Sequence, residues 1–170
     1  MATVPRKDAA SSPTNQAGSH NTDSSHPEKI VTVLAVSPLE EDHVFLGHVF
    51  SHSNWRIHVA RSCSEALQLL REKTIPVVLC DAEIPDSTWK DVLSQLGQLS
   101  CPPLLIVTSR LADESLWAEV LNLGGYDVLM KPFDRMEVVR VISLAWLHWK
   151  HSWERLRGME GLTPAIVASG

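Results

Sequence analysis

Residues 77–81 read Val-Val-Leu-Cys-Asp, a continuous apolar run that ends in a carboxylate. An apolar run without alternation is typical of a strand that is buried on both faces, as in a parallel sheet covered by helices. In such sheets, polar chemistry gathers at the crevice outside the carboxyl ends of the strands. The position of Asp81 at the end of this run therefore predicts that its side chain lies at a functional edge.

The segments on either side of this run extend the same pattern. The predicted strands are Ile30–Val36, Arg56–Ala60, Val77–Cys80, Leu104–Val107 and Val128–Met130. Only Arg56–Ala60 alternates polar with apolar residues, which predicts an edge strand with one face partly in water. Helical periodicity fills each gap, and Gly124-Gly125 is expected to end the fourth helix. The alternation predicts an α/β fold with a doubly wound, five-stranded parallel sheet.

Composition excludes several classes of protein. The chain has 170 residues, 44% of them apolar, and a net charge of −5 without a basic stripe, which argues against nucleic acid as a partner. No apolar stretch approaches the ~20 residues of a membrane span, so no membrane partner is expected. Three cysteines, an odd number without metal-type spacing, favour a reducing, cytoplasmic setting.

The chain divides into three predicted parts. Residues 1–28 are poor in large apolar side chains and are predicted to be a disordered tail. Residues 29–150 carry the strand and helix pattern. Residues 151–170 are expected to continue the last helix and end in a small-residue tail.

Polar side chains follow four of the predicted strands. They are Ser37, Asp81, Thr108 and Lys131. The carboxylate of Asp81, the hydroxyl of Thr108 and the ammonium of Lys131 are expected to meet at one sheet edge and form a cluster suited to a phosphoryl group. Ser37-Pro38 also predicts a helix start, with the serine as cap and the proline at the first helical position.

The residues at these strand ends resemble those of a known protein family. Residues 29–150 resemble the receiver domain of bacterial response regulators, on the strength of Asp81, Ile84-Pro85, Thr108-Ser109 and Lys131-Pro132-Phe133. Thr108 lies 27 residues after Asp81, and Lys131 lies 23 after Thr108, close to the family's spacing. The resemblance implies a flavodoxin-like sheet with strand order 2-1-3-4-5.

The family's roles transfer residue by residue. The resemblance implies that Asp81 is the phospho-acceptor, that Thr108 and Lys131 bind the phosphoryl oxygens, and that Lys131-Pro132 is a cis peptide. It also implies a Mg²⁺ ion held by Asp81 and the main-chain carbonyl of Glu83. The expected partner is a histidine kinase or a phosphotransfer protein.

Two departures from the family pattern affect these expectations. Ser37-Pro38 replaces the acidic pair that normally follows the first strand, so Mg²⁺ binding is expected to be weakened. Glu40, Glu41 or Asp42 could reach in from the first helix, although helix N-termini favour acidic residues in any case. The second departure is Val128, which stands where the family carries an aromatic residue that moves on activation.

Two other functions remain open. A pseudo-receiver would keep the fold, lose the metal and act as a phosphorylation-independent interaction module. A haloacid-dehalogenase-type phosphatase would use Asp81-Ala82-Glu83, but such enzymes place the nucleophile after their first strand, so no enzymatic activity is expected. The last helix carries Trp149 and Trp153, which are predicted either to contact another protein or a second copy, or to fold back on the domain.

Overall fold

The computed structural model describes residues 30–160. The predicted tail at residues 1–28 and the end of the chain at 161–170 lie outside the described residues. The elements are β1 (Val31–Val36), α1 (Glu40–Phe50), β2 (Trp55–Ala60), α2 (Cys63–Glu72), β3 (Val77–Asp81), β4 (Glu83–Ile84), β5 (Ser87–Thr88), α3 (Trp89–Leu96), β6 (Leu104–Ser109), α4 (Glu114–Leu123), β7 (Asp127–Met130) and α5 (Arg135–Glu160).

Five parallel strands form the main sheet, in the order β2-β1-β3-β6-β7. When these five strands are numbered along the chain, their order in the sheet is 2-1-3-4-5. The prediction of a doubly wound sheet with the flavodoxin-like order is therefore confirmed. Two strands of two residues each, β4 and β5, were not predicted. They pair antiparallel as a small hairpin directly after Asp81.

The sheet is covered on both faces, which accounts for its continuous apolar runs. Helices α2, α3 and α4 bury one face, and α1 and α5 bury the other. Val33 and Leu34 in β1 and Val77 and Val78 in β3, two of the three inner strands, are fully buried. Strand β2, predicted from Arg56–Ala60, lies at the edge and is partly exposed along most of its length.

Helix α4 ends where the glycine pair predicted. Gly124 adopts a φ of +99°, a left-handed conformation that favours glycine, and its amide donates to the carbonyls of Leu121 and Val120. At Gly125, a Cβ atom would lie 2.4 Å from Cγ1 of Val120. Gly124 therefore permits the left-handed turn that ends α4, and Gly125 lets the backbone lie close to the side chain of Val120.

The predicted start of α1 is wrong by two positions. The helix begins at Glu40, Leu39 occupies the cap position, and no side chain caps the helix. The Ser37 hydroxyl instead donates to Asp42 and accepts a hydrogen bond from the Leu39 amide at 3.1 Å. The Ser37 hydroxyl therefore holds the Asp42 carboxylate in place instead of capping α1.

Helix α5 runs for 26 residues without a break at residue 150. The side chain of Asp134 accepts a hydrogen bond from the Glu137 amide at 2.8 Å, as expected of a cap. None of the helices within residues 30–160 is long and apolar enough to cross a membrane.

Candidate phosphoacceptor site

Asp81 and Thr108 are neighbours at the carboxyl edge of the sheet. They are paired in register between β3 and β6, and the Ala82 amide donates to the Thr108 carbonyl at 2.9 Å. Asp81 is half-buried, and its Oδ1 accepts a hydrogen bond from the Glu83 amide at 3.2 Å. The side chain of Thr108 is buried. The predicted acceptor and the predicted hydroxyl therefore lie side by side.

Lys131 brings a positive charge to the same edge. It follows β7, its amide donates to the Ser109 carbonyl at 2.9 Å, and the Lys131-Pro132 peptide is cis, as the resemblance implied. Its buried ammonium donates to Asp81 Oδ2 and, at 2.5 Å, to Asp42 Oδ2. One ammonium thus bridges two carboxylates that come from β3 and α1.

Asp42 is the acidic residue that the first helix contributes to this site. Its side chain is buried, and its Oδ2 accepts the Ser37 hydroxyl at 2.5 Å in addition to the Lys131 ammonium. Successive helical residues are turned by about 100° from one another, so three consecutive acids cannot all face inward. The sequence prediction allowed Glu40, Glu41 or Asp42 to reach in and placed Glu40 and Glu41 among the expected metal ligands, because the predicted helix start did not fix this rotation.

The other two acids lie outside the cluster. Glu40 pairs with Arg61 at 2.5 Å, and that guanidinium holds the pKa of the Glu40 carboxyl below its ordinary value. Glu41 pairs with Arg110. Of the acids predicted from the first helix, the structure therefore brings Asp42 beside Asp81 and turns the two glutamates toward arginines.

The oxygen donors at this edge meet part of what Mg²⁺ requires. Within residues 30–160, no group of three or more His, Cys, Asp and Glu side chains could hold a metal ion. Asp42 and Asp81 nevertheless contact the same ammonium, so their oxygens are no farther apart than two hydrogen bonds. Since Mg²⁺ is commonly held by one or two carboxylates together with water, these residues fit the ion.

An open cleft leads to Asp81 and Lys131. Its volume is about 280 Å³, and Leu39, Glu83 and Arg110 also line it. A neighbouring cleft of about 530 Å³ shares Arg110 and Lys131 and includes Glu41 and Asp42. A small anion in solution can therefore approach the phosphoacceptor edge from outside.

The hairpin after Asp81 is fixed by a residue that sequence reasoning missed. Asp86 accepts hydrogen bonds from the Cys63 amide at 2.9 Å, the Ser64 amide at 3.2 Å and the Ser64 hydroxyl at 2.8 Å. These bonds, that from the Cys63 amide foremost, lower the pKa of the Asp86 carboxyl. Pro85-Asp86 is a turn signal, but its partner at the start of α2 lies more than 20 residues away and leaves no local pattern.

Val128 stands at the position where the family carries an aromatic residue. Its side chain is half-buried and packs against the core beneath α2, α3 and α4. Tyr126 precedes β7, and its ring makes an edge contact with that of His148 at 5.6 Å. Its ring thus packs on the α5 side of the sheet, whereas Val128 packs on the opposite side.

Trp149 and Trp153 are far from this edge. The Trp149 indole donates to the Pro102 carbonyl at 3.0 Å, just before β6 begins, and the two indoles stack with centroids 5.8 Å apart. Both side chains are half-buried. This packing favours the second alternative, folding back on the domain, while a role in partner binding stays a prediction.

Comparison with known proteins places this geometry in a family. The model of the response regulator receiver domain matches residues 43–143. The transcriptional regulatory protein ZraR of Escherichia coli K12 is 29% identical over 118 residues, which is 68% of this chain and 24% of the relative. The probable transcriptional regulatory protein TcrX of Mycobacterium tuberculosis is 34% identical over 114 residues, which is 64% of this chain and 47% of the relative.

Solved structures agree with this match. The signal receiver domain of an HD domain-containing protein from Pseudomonas fluorescens Pf-5 has a TM-score of 0.67 at 27% identity, over 73% of this chain and 92% of that one. The beryllofluoride-activated NtrC4 receiver domain dimer has a TM-score of 0.65 at 21% identity, over 69% and 98%. The chain spans about a quarter of the length of ZraR. It belongs to the response regulator receiver domain family of two-component signalling.

Proposed function

We propose that this chain accepts a phosphoryl group on Asp81 from a histidine kinase or a phosphotransfer protein and signals through contacts with other proteins in the cytoplasm. The observation that carries the proposal is the carboxylate of Asp81 at an open sheet edge. It is held there by the Glu83 amide and the Lys131 ammonium, beside Thr108. Carboxylates are competent phosphoryl acceptors when they are positioned in this way.

The transfer uses the residues in simple roles. A carboxylate oxygen of Asp81 attacks the phosphorus atom, a new O–P bond forms, and the donor's bond to phosphorus breaks, with its electron pair leaving on the donor. The ammonium of Lys131 then pairs with a phosphoryl oxygen in place of the carboxylate it holds at rest. The Thr108 hydroxyl donates to another phosphoryl oxygen, and the Glu83 amide keeps the attacking carboxylate oriented.

Mg²⁺ is part of the proposal. Asp42, Asp81 and the Glu83 main-chain carbonyl would hold it, and Glu40 and Glu41 would not, because both pair with arginines at the surface. Asp42, Asp81 and Lys131 together carry a net charge of −1 when ionised, before a phosphoryl group adds more negative charge. When bound, a divalent cation supplies the neutralisation of that charge.

A second function is favoured by the same ammonium. Lys131 already bridges Asp42 and Asp81, so the ammonium of this chain compensates part of the negative charge of the two carboxylates. A pseudo-receiver would keep this bridge permanently and use its surface for interactions that do not depend on phosphorylation. Val128, in place of an aromatic residue, also fits a domain that does not switch.

The experiment is intact-mass spectrometry after incubation with acetyl phosphate, with and without Mg²⁺. We expect a phosphoryl adduct that requires Mg²⁺ and is absent from Asp81→Asn. Glu83→Gln is the matched control, since Glu83 contributes main-chain atoms and the variant should keep the adduct. A folded wild-type protein without any adduct would favour the pseudo-receiver.

A further inference from the structure

A cleft of about 510 Å³ lies at the amino-terminal edge of the sheet, at the other end of β3 from Asp81. The connection from α2 into β3 lines it with residues 70–75, and the connection from α3 into β6 lines it around Leu99 and Pro103. Trp153 of α5 lines it as well. The volume falls within the range of about 300–1,000 Å³ that is typical of small-molecule sites.

The cleft combines buried apolar side chains with exposed cations. Leu70, Ile75 and Pro103 are buried. Arg71 and Lys73 are exposed, and neither side chain pairs with a carboxylate within residues 30–160. Cations also suit the C-terminal end of a helix, where α2 places these two, because the last carbonyls carry a partial negative charge. That role requires only their charge, so both groups remain available to bind an anion.

The charge of the cleft is opposite in sign to that of the whole chain. Glu72 also lines the cleft, and its carboxylate accepts a hydrogen bond from Gln68 on the same helix at 3.5 Å. Arg71, Glu72 and Lys73 together carry a net charge of +1 when ionised, whereas the chain carries −5. A positive concavity with apolar walls raises the local concentration of anions. The cleft therefore favours an anionic ligand that has an apolar part.

Trp153 supplies a surface for a planar ring. Its indole stacks on that of Trp149 with an interplanar angle of 15°, and the Arg157 guanidinium lies 5.9 Å from its centroid. Trp149 precedes Trp153 by four residues and Arg157 follows it by four, so the two contacts lie on opposite sides of the ring along the helix. Arg157 is exposed and near the distance limit of a cation–π contact, so a stacked base stabilises that face more than the guanidinium does.

We propose that this cleft binds a nucleoside phosphate, with its base stacked on Trp153 and its phosphate held by Arg71 and Lys73. A guanidinium binds phosphate oxygens through two parallel hydrogen bonds, and an ammonium adds a point charge. The base takes the place of the Arg157 guanidinium on the indole. A nucleic acid chain would need an extended basic groove, whereas this cleft offers two cations. Binding here does not require phosphorylation of Asp81.

Isothermal titration calorimetry of the full chain with adenosine diphosphate, in the presence of EDTA, tests the site. We expect adenosine diphosphate to bind more tightly than adenosine, which lacks the phosphate, and than ribose 5-phosphate, which lacks the base. Equal affinity for ribose 5-phosphate and adenosine diphosphate would overturn the stacking of a base on Trp153.

Variants assign the binding to named side chains. Arg71→Gln and Trp153→Leu should each weaken adenosine diphosphate binding at least about fivefold, while Trp153→Phe should retain part of it. Glu72→Gln should tighten binding because it removes a negative charge from the cleft. The matched controls are Arg56→Gln, an exposed cation on the edge strand, and Trp117→Leu, an indole on α4 that is 50% exposed; both lie outside the cleft and should leave the affinity unchanged.

Cys101 provides a second readout, which reports on the cleft directly. Its half-buried thiol lines the cleft, whereas Cys63 and Cys80 are buried. Adenosine diphosphate should slow the alkylation of Cys101 by iodoacetamide, measured by peptide mass spectrometry, and should do so less in Arg71→Gln. No binding to the folded wild-type protein, or equal affinity in wild type, Arg71→Gln and Trp153→Leu, would overturn the inference. Either result leaves the proposed phosphorylation of Asp81 unaffected.

Discussion

At the scale of single residues, the negative charge of the phosphoacceptor site depends on Asp42 as well as on Asp81. A carboxylate about 4 Å from a cation contributes on the order of 4 kcal/mol of attraction at an effective dielectric near 20. The end of β1 lacks this group, since Ser37 and Pro38 stand there, and the first turn of α1 supplies it instead. Ser37 takes part indirectly, because its hydroxyl orients the Asp42 carboxylate.

We use Mn²⁺ as the probe of the proposed Mg²⁺ site. We therefore expect Asp42→Asn to weaken Mn²⁺ binding at least about tenfold, since each 1.4 kcal/mol of lost attraction is a factor of ten. Adding Ser37→Asp to that variant should restore binding by returning a carboxylate to the strand end. Electron paramagnetic resonance of Mn²⁺ measures the affinity directly, without phosphorylation. Glu40→Gln is the control. Equal affinity in wild type and Asp42→Asn would assign the metal to other residues.

At the scale of elements, the contacts of Trp149 and Trp153 decide how the C-terminal half of α5 packs on the domain. The Trp149 indole donates to the Pro102 carbonyl, and Trp153 lines a cleft with Leu70 and Cys101. The C-terminal half of α5 therefore contacts the domain through Trp149, whose indole also stacks on that of Trp153.

Trp149→Ala should release this half of the helix, because it removes both the hydrogen bond and the stack. We expect faster amide exchange, measured by hydrogen–deuterium exchange mass spectrometry, over residues 149–160, with little change in the sheet. Leu147→Ala is the control, since Leu147 is exposed on the same helix. Unchanged exchange in Trp149→Ala would mean that the extension is held by other contacts.

Elements also show where sequence reasoning succeeds. The apolar runs and the glycine pair predicted the five main strands and the end of α4, since each signal is local. The β4–β5 hairpin was missed because strands of two residues carry no periodicity. The start of α1 was wrong because the Ser37 hydroxyl bonds to Asp42 rather than to the helix end, a choice made by tertiary contacts.

At the scale of the whole molecule, the topology accounts for most of the predicted site. Parallel strands bring Asp81, Thr108 and Lys131 to one edge even though they are distant in sequence, so their strand ends were sufficient to predict the cluster. The pairing of Lys131 with two carboxylates was not predictable in the same way, since it depends on the rotation of α1.

The stability of the whole molecule should also depend on His43, which lies beside Asp42 on the buried face of α1. Both ring nitrogens are buried without a hydrogen-bond partner among residues 30–160, and Nδ1 lies 3.8 Å from Glu40 Oε2, too far for a hydrogen bond. Burial lowers the pKa of His43, and the Arg61 charge acts in the same direction, while Glu40 and Asp42 act against it. The folded state therefore favours the neutral ring.

A lowered pKa in the folded state means that the unfolded chain binds the proton first as the pH falls. Stability is then fully present above the ordinary histidine pKa of about 6.5 and declines below it. We expect His43→Leu to raise the free energy of unfolding by about 1 kcal/mol at pH 7.5, because it removes unpaired buried nitrogens. The advantage should grow by pH 5.5. Urea unfolding at both pH values measures it, with His48→Leu, an exposed position on the same helix, as control. An advantage that shrinks on acidification would mean that the folded protein accommodates the charged ring.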